Sequence, residues 1–147
     1  MIRAMTVDDY DDVYSLWMSI KGFGIRTMDD SREGIVRFIE RNPGLSPVCV
    51  KDGKIVGAIL CGHDGRRACF YHVCVSQEYR MHGIGRKMVE FCIERLKEEG
   101  INKVCLNAFV TNQIGNKFWQ KMGWTLRDDM NYYDFTLNSD NLTVFNK

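Results

Sequence analysis

The sequence predicts a mixed α/β fold: a mostly antiparallel central sheet with one parallel crossover and helices on both faces. Three observations carry this. Helix-period apolar spacing alternates with strand-sized apolar runs in the order β-α-α-β-β-β-α-β-α-β-β. Asp52-Gly53 between two such runs is a hairpin turn. A long amphipathic helix joins the strand ending at Val75 to the one starting at Lys103, so those two strands must run parallel.

Ile2 to Met5 reads as a short edge strand. Thr6 then caps a helix whose first turn holds Asp8 and Asp9, where acids suit the macrodipole. Tyr10, Val13, Leu16, Trp17 and Ile20 form its apolar face, and Gly22 and Gly24 end it. Asp30-Ser31-Arg32-Glu33 resembles a capping box for a second helix, which stops at Asn42 because Pro43 follows. Ser46 to Lys51, Lys54 to Gly62 and Ala68 to Val75 form a meander. A third helix carries Ile84, Met88, Phe91, Cys92, Arg95 and Leu96 along one side and stops at Gly100. Lys103 to Val110 reads as a strand, and Asn112 caps a last helix ending at Gly123. Trp124 to Arg127 and Tyr132 to Leu137 read as a closing hairpin.

The 147 residues suit one domain over 1–147, with 138–147 as a loosely held tail. A net charge of +1 gives no electrostatic case for nucleic acid or an anionic membrane as a partner. No apolar run approaches the ~18 residues of a membrane span, and the N-terminus lacks a signal-peptide core, so a cytoplasmic location is expected. The six cysteines form no CxxC pair and sit in apolar runs, so they read as reduced core thiols; no metal is expected.

The chemistry concentrates in Arg80-Met81-His82-Gly83-Ile84-Gly85-Arg86-Lys87, between a strand and a long helix. A helix start exposes unpaired N–H groups and positive potential, glycines let an anion approach, and three basic side chains add charge. That combination describes an anion site, most naturally for a phosphate or pyrophosphate. No GxxxxGK[ST] exists, and Met88 stands where a GxGxxG pattern needs its third glycine, which argues against ATP and NAD. The bland alternative is a glycine turn that binds nothing.

Arg80-x-x-Gly83-x-Gly85 resembles the Q/R-x-x-G-x-G/A element of the GNAT superfamily of N-acetyltransferases. Val73-Cys74-Val75 resembles the strand before that element, and Asn112 to Trp124 resembles the family's N-x-x-A-x-x-x-Y-x-x-x-G-F helix. The element order also matches over about residues 1 to 137. The resemblance implies acetyl-CoA as co-substrate, with no metal. Main-chain amides from about Met81 to Arg86, His82 included, would hold the pyrophosphate, with Lys87 as a further cofactor-binding residue of the loop. The Val73 and Val75 main chain would pair with the pantetheine arm where two strands splay, and Asn112 and Trp119 would line that arm. An N–H near Val75 would polarise the thioester carbonyl. A small-molecule or peptide amine would attack directly in a ternary complex, in a monomer or homodimer.

Two positions depart from the family pattern. The strand that often carries a glutamate base reads Leu106-Asn107-Ala108, and the tyrosine acid falls at Trp119. His72 is the substitute base, since imidazole ordinarily titrates near ~6.5. By strand alternation Tyr71 points to the opposite face, so only one of the two faces the acceptor. Tyr132 and Tyr133 are candidates for the acid. His63 and His82 read as exposed bystanders. The first two helices and the final hairpin would build the acceptor pocket. There Asp29 and Asp30 either favour a cationic amine or, the reading preferred for Asp30, serve as a helix cap. The departures also leave an alternative, a non-catalytic CoA-sensing module.

Overall fold

The computed structural model describes residues 1–147. Its elements are β1 (Ile2–Ala4), α1 (Tyr10–Met18), β2 (Gly24–Arg26), α2 (Arg32–Arg41), β3 (Pro47–Lys51), β4 (Lys54–His63), β5 (Ala68–Val75), α3 (Ile84–Glu98), β6 (Val104–Cys105), α4 (Gln113–Lys121) and β7 (Thr143–Phe145). Five strands form the main sheet in the order β1-β3-β4-β5-β6, with only β5 and β6 parallel. The expected mixed α/β class with one parallel crossover is what forms.

Local chemistry explains most boundaries. Asp9 accepts the Thr6 main-chain N–H at 2.8 Å and holds Arg3 through two contacts of 2.8 and 2.9 Å, tying β1 to the entry of α1. Asp52 and Gly53 both adopt positive φ, 51° and 74°, as a two-residue hairpin turn requires. Asn112 Oδ1 accepts the Gly115 N–H at 3.0 Å and opens α4.

Each sheet face has its own core. Val13, Trp17 and Ile35 pack with Ala58, Leu60 and Cys74 on the α1/α2 face. Ile59, Cys61 and Phe70 pack with Met88, Cys92 and Trp119 on the α3/α4 face. The centre of β4 is apolar on both sides, which is why its sequence reads as an unbroken apolar run.

Four expectations change at the C-terminal end. The strand expected over Lys103 to Val110 shortens to Val104–Cys105, because only Ala68 and Cys69 of β5 face it before the chains part. Trp124 to Arg127 and Tyr132 to Leu137 form no strands. They have strand-like side chains, but the shortened β6 gives them no ladder to extend. The expected loose tail instead supplies β7, which pairs antiparallel with β2. Asn146 Nδ2 donates to the carbonyls of Trp17 and Ile20 at 2.8 and 2.9 Å, satisfying the end of α1. Gly24 therefore lies in a strand, not at a helix stop: a Cβ there would sit 2.9 Å from the Phe145 ring.

Smaller corrections concern side chains. Cys69 is half-buried and Cys105 exposed, so they are not core thiols; the other four are buried. His63 is not a bystander: its Nε2 meets Glu99 at 2.8 Å and its Nδ1 accepts the Gly65 N–H, tying the β4–β5 turn to the end of α3. No helix is long and apolar enough to cross a membrane.

Candidate functional site

The site is organised by an extra residue in β5. Ala58 pairs with Cys74, but Leu60 pairs with Tyr71, so His72 and Val73 together oppose Ile59. His72 takes up the bulge with φ of 50°, a region that histidine tolerates better than most side chains. The bulge breaks alternation. Tyr71 and His72 therefore project to the same face, against the expectation that they diverge. Tyr71 meets Phe38 of α2 edge-on, and His72 packs against Trp17 and Phe23 with ring centroids 4.8 Å away in each case.

His72 Nε2 lies 2.8 Å from Asp30 Oδ2, and Asp30 is only 3% exposed. The same oxygen accepts the Arg26 main-chain N–H at 2.7 Å. With Oδ2 as the acceptor, His72 Nε2 is the donor of this pair, and Nδ1 forms no hydrogen bond. Asp30 is thus not the helix cap. Ser31 caps α2, its Oγ accepting the Gly34 N–H at 3.1 Å. Sequence reasoning weighed Asp30 but missed its partner, 42 residues away. The usable signal was an acid one place before a good N-cap residue, free for another task. Beside this pair, Trp17 Nε1 is buried with no partner.

After Cys69, β5 has no ladder partner on its β6 side, which leaves the main-chain edge from Phe70 to Val75 unpaired there as a slot where the two strands part. Ser76 N–H donates to Val56 O, which fixes the ladder phase and turns the main chain of Val75 away from β4, toward the slot. The Val75 carbonyl there accepts Arg80 Nε at 3.0 Å. The slot leads to the start of α3. Gly83, with φ of 79°, occupies the N-cap and offers no capping side chain, so the first amides of the fifteen-residue helix stay uncapped. Met81 is 99% exposed with φ of 67°, and Arg80, His82, Arg86 and Lys87 are exposed around it, whereas Ile84 is buried beneath. Lys51, His82 and Lys87 also line a cavity of about 330 Å³ on the β1/β3 side of the loop. A Cβ on Gly85 would stand 3.2 Å from the Phe118 ring, so this glycine sets the approach of α3 to α4.

The remaining candidates separate. Trp119 is buried against Phe70, Phe118 and Trp124. Asn112 is exposed, with its side-chain oxygen engaged in capping α4. Tyr133 is 86% exposed. Burial, followed by the Cys69 thiol, pushes the Tyr71 phenol up to about 12, so it stays protonated at neutral pH. Burial likewise raises Cys69 to about 11 and Cys74 to about 12, which argues against either as a thiolate nucleophile.

Comparison with known proteins places this geometry. The profile of the acetyltransferase (GNAT) family matches residues 10–124. An acetyltransferase of Sodalis glossinidius (strain morsitans) is 27% identical over 129 residues, covering 88% of this chain and 89% of that protein. The structure is similar to PaiA N-acetyltransferase from Thermoplasma acidophilum in complex with coenzyme A, with a TM-score of 0.75 and 16% identity, covering 100% of this chain and 98% of that one. It is also similar to Ard1 from Thermoplasma volcanium, with a TM-score of 0.73 and 18% identity over 86% of this chain and 83% of that one.

Proposed function

This chain belongs to the acetyltransferase (GNAT) family, and from that premise we propose that it moves an acetyl group from acetyl-CoA to a primary amine by direct attack in a ternary complex. The observation that carries the reading is the open slot beside Val75 leading to the uncapped start of α3. A slot edged by free main-chain groups suits an extended amide-bearing arm, and an uncapped helix start ringed by basic residues suits its phosphates. The residues present fit the co-substrate on both counts.

Acetyl-CoA supplies an activated acyl group on a thiol leaving group. The amides from Met81 to Arg86, that of His82 included, hold its phosphates, and Arg80, Arg86 and Lys87 add positive charge. Main-chain groups of Val73 and Val75 hold the arm, with Asn112 at its far side, while Cys74 between them is paired to Ala58 of β4 and keeps the strand edge in place. Trp119 supports this wall from the core. The Val75 N–H donates to the thioester carbonyl as negative charge develops there. His72 Nδ1 takes the proton from the incoming ammonium, directly or through one water, while Asp30 fixes the ring. The amine nitrogen bonds to the acetyl carbon, the carbon–sulfur bond breaks, and the thiolate leaves. Tyr71, protonated and on the same face as His72, donates to the departing sulfur, and the second proton that the new amide nitrogen sheds returns to the phenolate, so that the amide and the free thiol both leave neutral.

The test is release of free CoA thiol from acetyl-CoA across a panel of small amines, amino acids and peptides. Release that depends on one acceptor class supports the reading and identifies the acceptor. Saturable acetyl-CoA binding with no release across the panel overturns it.

A further inference from the structure

A second cavity, of about 300 Å³, lies between α1, the β2–β7 ribbon and the start of α2. Neither His72 nor Trp17 lines it, so it is separate from the β5 slot. Its walls are the rings of Tyr10 and Tyr14, one turn apart on α1, with Met18 and Val144. The only formally charged residues on the lining are Arg26 and Asp30, one of each sign.

Asp30 has unused capacity. Its Oδ2 takes both the Arg26 N–H and His72 Nε2, while Oδ1 accepts no hydrogen bond. Trp17 Nε1 is the one buried, sealed side-chain polar atom without a partner, so Oδ1 is not sealed off. Since Asp30 lines this cavity, the cavity is its outlet. A 97%-buried carboxylate that keeps an open oxygen is an acceptor awaiting a donor; the Arg32 guanidinium already stands 4.8 Å from the centre of the Tyr10 ring, so Tyr14 is the wall that favours a further cationic group. Arg26, whose guanidinium forms no ion pair, argues against a purely cationic ligand and supplies a site for an anionic group.

We infer that this cavity binds an α-amino acid zwitterion with an apolar side chain. The ammonium meets Asp30 Oδ1, the carboxylate meets Arg26, and the side chain lies against Tyr10 and Tyr14. Because Asp30 also holds His72, occupancy is felt at the β5 bulge. The inference needs no acetyl-CoA and stands or falls apart from the acetyl-transfer reading.

The test is calorimetric and NMR titration of the full chain, without acetyl-CoA, using three probes of one shape: L-phenylalanine, 2-phenylethylamine and 3-phenylpropionate. Phenylalanine should bind about tenfold more tightly than either singly charged probe and should move the His72 ring signals. Asp30→Asn should weaken phenylalanine and phenylethylamine about tenfold or more. Arg26→Gln should reduce phenylalanine to the level of phenylethylamine and leave the latter unchanged. Met18→Trp, which fills the cavity without touching the carboxylate, should block all three; it keeps the test open if Asp30→Asn does not fold. The inference is overturned by no binding of any probe, by 3-phenylpropionate binding tightest, by unchanged phenylalanine affinity in folded Met18→Trp, or by His72 signals that stay fixed at saturation.

Discussion

Replacing His72 separates its chemistry from its place in the fold. His72→Ala removes a ring wedged between Trp17 and Phe23 and leaves Asp30, 3% exposed, with one hydrogen bond fewer. The orphaned carboxylate alone costs about 1–3 kcal/mol, and lost packing adds about 1 kcal/mol more. His72→Gln is gentler, because the glutamine amide nitrogen reaches the position of Nε2 and still donates to Asp30. Its main cost is holding a less tolerant side chain at φ of 50°, about 1 kcal/mol. With a urea m-value of about 2 kcal/mol/M, the glutamine variant should unfold about 0.5 M earlier and the alanine variant about 1.5 M earlier. Neither substitution supplies a base, so both should lose about 100-fold or more in kcat, equivalent to about 2.7 kcal/mol of barrier. KM for acetyl-CoA should stay unchanged, because the phosphate loop is untouched. Urea melts and steady-state thiol release measure the two effects separately. A glutamine variant that keeps kcat within about threefold of the native enzyme would remove His72 from proton transfer.

Three further perturbations probe the frame around the site. The hydrogen bond from Arg3 holds the Asp9 carboxyl below its ordinary range, so its contribution is complete above about pH 4 and fades as pH falls through the lowered value. Asp9→Asn should therefore cost about 1 kcal/mol at pH 7, discounted because the Arg3 side chain is 39% exposed, and progressively less as pH is lowered below about 4; a cost in urea melts that does not fall with pH would refute this. Gly85→Ala places a methyl 3.2 Å from the Phe118 ring, so α3 and α4 should part slightly, lowering stability by about 1 kcal/mol and weakening CoA several-fold by calorimetry. Asn146→Ala removes two hydrogen bonds to the end of α1 and should cost about 1–2 kcal/mol, with faster amide exchange in β7 and the last turn of α1.

What the sequence disclosed follows from how far each signal reaches along the chain. Asp52-Gly53, Gly83-Ile84-Gly85 and Asn112 act through their own backbone conformation or through neighbours three residues away, and all three form the turn or helix start expected of them. The same holds for the strand-helix-strand order that forces β5 and β6 to be parallel. The misreadings all depend on a partner distant in sequence. Tyr132 to Leu137 has strand chemistry, but a strand needs an edge, and β6 is too short to offer one. Thr143–Phe145, just as rich in β-branched and aromatic side chains, does form a strand, because Gly24 lets Phe145 lie against β2. His72 shows the effect within the site itself. Strand alternation assigned Tyr71 and His72 to opposite faces on the assumption of one residue per step, and a single extra residue opposite Ile59 reverses the assignment. The bulge is what carries His72 to buried Asp30, and Asp30 is free for that contact because Ser31 took the capping role. The pairing that orients His72 is therefore a product of tertiary register, while the Arg80–Lys87 loop is a product of local backbone. Motif reading could reach the second and not the first.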